Sequence, residues 1–69
     1  MGTPTSYYPE YKPKDADKFS AMIKLMGAAQ DEAGLRQVVL LYTFDPSYDR
    51  EDILVALGRI ERERGWKVS

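Results

Sequence analysis

Four carboxylates, Asp45, Asp49, Glu51 and Asp52, fall within eight residues, and such a cluster is where a divalent cation or a paired acid and base would first be sought. The spacing argues against the first, and a domain this small offers little room for the substrate cleft the second would need. A calcium loop needs acids at alternate positions and a glycine at its sharp turn, whereas Pro46 and Tyr48 interrupt this run and no glycine follows. Asp45-Pro46-Ser47 reads instead as a turn, and Asp49 as the cap of a helix whose first turn holds Glu51 and Asp52, where the macrodipole favours acids. The chain has no His and no Cys, which removes imidazole and thiolate ligands, the thiol nucleophile and the commonest proton shuttle. Ser20 and Ser47 lie in no nucleophile motif, and the five glycines are scattered singly rather than gathered into a phosphate loop. The expectation is a protein with no catalytic residue, no metal site and no cofactor, and therefore not an enzyme.

The second group able to do chemistry is the basic end, Arg59, Arg62, Arg64 and Lys67 beside Trp66. Cations next to an aromatic plane hold phosphates and stacked bases, so these five residues are the candidate contacts for DNA or RNA. Glu61 and Glu63 dilute the charge, and Arg59 with Glu63 or Glu61 with Arg64 fall at pairing distance on a helix. Nucleic-acid regulation is accordingly the alternative reading. The overall balance of ten basic and eleven acidic residues, net charge −1, agrees with that order.

The third group is the tyrosines at the start of the chain. Residues 1–14 hold three of the four prolines with Tyr7, Tyr8 and Tyr11, in an order without helical or strand periodicity. Proline fixes its own φ and pushes its predecessor toward extended conformations, so this stretch is expected to be an extended arm. Tyrosines on a pre-ordered chain suit an interface, which makes Tyr7, Tyr8 and Tyr11 the candidate partner-binding residues.

The elements that must position these groups follow from periodicity. Phe19, Met22, Ile23, Met26, Ala29 and Ala33 recur at steps of three and four, one face of a helix capped by Asp15 or Asp17. Gly34 followed by Leu35 suits a left-handed stop, placing the end near Ala33. Residues 36–44, RQVVLLYTF, are apolar on both faces and rich in β-branched and aromatic side chains, as a buried strand would be. Leu35, Val38, Val39 and Tyr42 also fit helical steps, which keeps a helix open as the alternative. A further helix from Asp49 buries Ile53, Ala56, Leu57 and Ile60, with Tyr48 placed as a hydrophobic staple and Gly65 as the stop. Trp66, Lys67 and Val68 alternate as a short strand would.

The fold class expected is therefore α+β: two amphipathic helices packed on a short buried strand, with an extended arm over residues 1–14 and one compact domain over residues 15–69. The alternative is an all-α three-helix domain. Sixty-nine residues, 43% hydrophobic and without disulfide or zinc, make a marginal core for which self-association is the remaining reinforcement. No apolar stretch is long enough to cross a membrane. The functional expectation is a small cytoplasmic interaction protein, an adaptor or inhibitor that docks on another protein, working as a homodimer.

Overall fold

The computed structural model describes residues 11–68, in which three helices follow one another: α1 (Ala16–Gly27), α2 (Glu32–Thr43) and α3 (Arg50–Arg64). No strand is present among the described residues. The α+β expectation is thus corrected to all-α, the arrangement held as its alternative. Residues 36–44 lie in α2 and its cap, and residues 66–68 follow α3 without pairing.

The reason lies in where backbone polar groups can find partners. A lone buried strand leaves its N–H and C=O groups unpaired along its length, whereas a helix satisfies them within itself. In α2 the apolar residues fall on two sides. Leu35 is fully buried and Val38, Val39 and Tyr42 pack on the core, while Leu40, Leu41 and Phe44 face solvent. The apolarity on both faces that suggested a strand is an inner stripe plus an exposed outer one.

Each helix starts on an aspartate. The Asp15 carboxylate accepts from Lys18 N at 3.1 Å, Asp31 from Gly34 N at 2.7 Å, and Asp49 from Glu51 N and Asp52 N at 2.9 and 3.2 Å. Asp31 explains why the first helix does not run on to Ala33. It begins a new helix, in which Gly34 is the third residue rather than a terminator, and a Cβ on Gly34 would stand 3.2 Å from the capping Asp31 Oδ1. The left-handed stop expected at Gly65 is present, with φ of 74°, and the amides of Gly65 and Trp66 both donate to Glu61 O.

The core joins Met22 and Met26 of α1, Leu35 of α2, and Ile53, Ala56, Leu57 and Ile60 of α3. α3 supplies four of these seven residues and α2 only one. The middle helix is thus the least anchored. No helix among the described residues is long and apolar enough to cross a membrane.

Candidate functional site

Of the four clustered acids, Asp52 is the one buried, at 1% exposure. It sits in the first turn of α3 and reaches across to the start of α1, where Lys14 N donates to both its oxygens at 3.1 Å and Asp15 N to Oδ2 at 3.3 Å. The Tyr11 hydroxyl donates to Oδ1. The carboxylate thus sits in the first turn of α3, where the partial positive charge of a helix start favours it, and ties that turn to the two residues that precede α1. Burial works against the charge, but the bonds from Tyr11, Lys14 N and Asp15 N, with the Lys14 charge nearby, hold the Asp52 carboxyl below the usual carboxylate range. Burial, then the bond and the negative field of Asp52, push the Tyr11 phenol well above its ordinary value.

Asp45 and Asp49 do the local work their spacing predicts. Asp45 Oδ1 accepts from Ser47 N at 2.9 Å and Ser47 Oγ at 2.8 Å, and these bonds hold its carboxyl below the ordinary range. Glu51 accepts from Lys14 Nζ at 2.6 Å on the surface. Among the described residues no group of three acidic side chains is arranged to hold a metal ion.

A pH dependence follows. Both Asp52 and Asp45 have depressed folded-state pKa values, so the stability they contribute is fully present above about pH 4, the ordinary aspartate value. It is lost as pH falls through the folded values. The melting temperature should be flat from pH 7 to pH 5 and drop on further acidification, and Asp52→Asn should flatten part of that acid limb by removing one of its two contributors. An acid limb identical in the variant would show that Asp52 does not set it.

The basic end is only in part a free surface. Arg64 turns back over α1, where its two terminal nitrogens donate to Gly27 O and Ala29 O at 2.8 and 2.9 Å, and its guanidinium stacks 4.3 Å from the Trp66 ring centre. It thereby satisfies carbonyls that the end of α1 leaves without helical partners. Trp66 and Val68 pack against the core, Val68 N donates to a Glu61 carboxylate oxygen, and Arg59 Nε pairs with Glu63 at 3.4 Å as its spacing predicts. Arg62 and Lys67 are exposed. Arg64→Ala should lower stability by about 1 kcal/mol in urea unfolding, the scale of hydrogen bonds to a charged group less what water restores. Arg64→Lys should recover little, because an ammonium does not present the planar fork that spans both carbonyls.

Of the tyrosine group, Tyr7 and Tyr8 lie outside the described residues. Tyr11 is half-buried, its ring 5.8 Å from that of Phe19 and its hydroxyl on Asp52, so its contacts are within the chain. Comparison with protein-family models, with curated proteins and with solved structures finds no match to the chain.

Two apolar depressions flank α2. One runs between α1 and α2, lined by Ala21, Lys24, Leu25, Ala28 and Tyr42, and is shallow and open. The Tyr42 ring lies 4.6 Å from that of Tyr48, tilted by 53°, and partial burial, with Tyr48 beside it, raises its phenol pKa. Lys24 on the rim pairs with no acid among the described residues. The other depression, about 120 Å³, lies between α2 and α3 and is lined by Val39, Thr43, Arg50, Ile53 and Leu54. Sequence reasoning missed both, because reading residues 36–44 as a strand left no helix to make a groove with α1 or α3.

Proposed function

We propose that the chain is a small, non-enzymatic, cytoplasmic interaction module, an adaptor or inhibitor that docks on another protein through the groove between α1 and α2. The observation that carries this reading is the groove itself. Ala21 and Ala28 are small, Leu25 is 46% exposed beside them, and Tyr42 supplies an amphipathic wall. A shallow apolar trough between two helices fits the apolar stripe of a third, and the small alanines let the incoming backbone approach closely. Lys24 on the rim favours a partner helix with an acid flanking its apolar stripe. Tyr7 and Tyr8 enter the proposal as a second contact, since Tyr11 is turned toward Asp52.

The test is affinity capture from the native lysate with the full chain, with Leu25→Glu, and with the chain lacking residues 1–10. Leu25→Glu puts a charge on the groove wall at an exposed position and should release partners that the unaltered chain retains. Truncation should weaken the same partners without removing them. A partner set indifferent to Leu25→Glu would take the groove out of the function.

A further inference from the structure

On the opposite side of α2 the apolar surface has a shape the interaction reading does not use. Phe44, at the C-cap of α2, is 79% exposed, the largest exposed fraction among the big apolar side chains of the described residues, and Leu40, Leu41 and Leu54 stand 46%, 67% and 57% exposed. Together they leave on the order of 400 Å² of apolar surface in water, the size at which patches on monomers mark interaction sites. Next to them lies the 120 Å³ pocket between α2 and α3, room for one side chain. We propose that a second copy of this chain covers the face, in a twofold contact where Phe44 of each copy enters the α2–α3 pocket of the other.

The surface carries three properties that a self-complementary contact requires. An isologous interface brings the residues nearest the twofold axis against their own counterparts, so like charges there would repel. Leu40, Leu41, Phe44 and Leu54 carry none. Burial must leave no polar group stranded, and the one hydroxyl in the pocket, Thr43 Oγ1, already donates to Val39 O at 2.8 Å. Knob and hole must both be present on the same molecule, and Phe44 and the pocket are adjacent in the chain. Arg50, on the pocket wall, offers its guanidinium to the face of the incoming ring. Closing two such faces with their polar margins would bury about 1,000 Å² or more, the lower edge of specific interfaces. A second copy also answers the thin anchoring of α2, which buries one residue fully in a chain without disulfide or zinc.

Sedimentation equilibrium of the full chain, from low micromolar to several hundred micromolar, should show mass rising from 7.9 kDa toward twice that value. Phe44→Ala should weaken the association by about 30-fold, as loss of a central anchor does. Phe44→Glu with Leu54→Glu should leave a monomer of unchanged helical content, since both positions are exposed. Because the chain has no Cys, a single introduced thiol reports its own counterpart: Leu40→Cys should give a disulfide-linked dimer on mild oxidation, and Lys24→Cys, on the partner groove, should not. A monomer at every concentration, a dimer indifferent to the Phe44 and Leu54 changes, or cross-linking through Lys24→Cys instead would each overturn the proposal. The docking reading is tested on the other face by Leu25→Glu, so either can fail alone.

Discussion

Asp52→Ala should lower the unfolding free energy by roughly 3 kcal/mol or more, a large part of the total for a chain of 69 residues, whose stability is on the order of 3 to 10 kcal/mol. The loss is expected to be large because three donors share a carboxylate that is itself only 1% exposed. Alanine strands Lys14 N and Asp15 N beside the first turn of α3 and frees the Tyr11 hydroxyl. A buried donor without its acceptor costs its full desolvation, about 1 to 3 kcal/mol each. Water entering the vacated space reduces the sum but does not cancel it.

Two further substitutions separate this mechanism from simple loss of packing. Tyr11→Phe keeps the ring against Phe19 and removes only one donor, leaving the carboxylate with its two backbone partners, so about 1 kcal/mol is expected. Asp52→Asn keeps the volume and one acceptor oxygen, but turns an amide N–H₂ toward backbone donors, and should fall between the other two. The order Ala, Asn, Tyr11→Phe in urea midpoints is the signature of a shared acceptor. If Asn were as damaging as Ala, the size of the side chain would not matter and the charge alone would. An Asp52→Ala protein as stable as the unaltered chain would remove the carboxylate from the account of how α1 and α3 are held together.

In the sequence Asp52 reads only as a first-turn acid, although its spacing holds a further signal. Positions 52, 56 and 60 are spaced by four and place the aspartate on the same stripe as Ala56 and Ile60, both buried. An acid on an apolar stripe needs donors from another element, and that element could not be read because the donors are backbone amides, which look alike in any sequence. The same limit hid Arg64. Its position near the end of α3 predicted a favourable dipole interaction, yet its two acceptors are carbonyls of another helix. Caps were legible because Asp49 and Gly65 act within one turn of themselves. Gly34 was misread because a glycine before a leucine marks a helix end as readily as it makes room for the Asp31 side chain in a helix beginning. The stripe of α3 could be placed from spacing alone, and that of α1 as far as Met26, with Ala29 and Ala33 falling beyond its end; that of α2 could not, since its exposed side is as apolar as its buried one.

Leu35→Ala should cost about 2 to 5 kcal/mol, the range for removing a buried leucine whose site cannot collapse around the gap. Leu35 is 0% exposed and is the one fully buried side chain of α2, so the loss falls where the helix has least in reserve. α1 holds Met22 and Met26 in the core and α3 holds four residues there, so neither depends on a single contact in this way. An isolated twelve-residue helix is marginal in water, and α2 adds two β-branched valines to that handicap. The variant should therefore do more than melt earlier. Its circular dichroism at low temperature should show lost helical signal equivalent to α2, with amide exchange fast across residues 32–43 while the Met22 to Ile60 contact region stays protected. Leu54→Ala, in a side chain 57% exposed, should change the melt by less than about 0.5 kcal/mol at concentrations where the chain is monomeric and leave α2 intact. The same comparison bears on the twofold contact. If a second copy covers Phe44 and Leu40, raising the protein concentration should partly restore the helical signal of Leu35→Ala, because association adds to α2 the apolar contacts that its own core lacks. Restoration should disappear when Phe44→Glu is combined with it, and a signal that stays independent of concentration would show that the helix is held by its own chain alone.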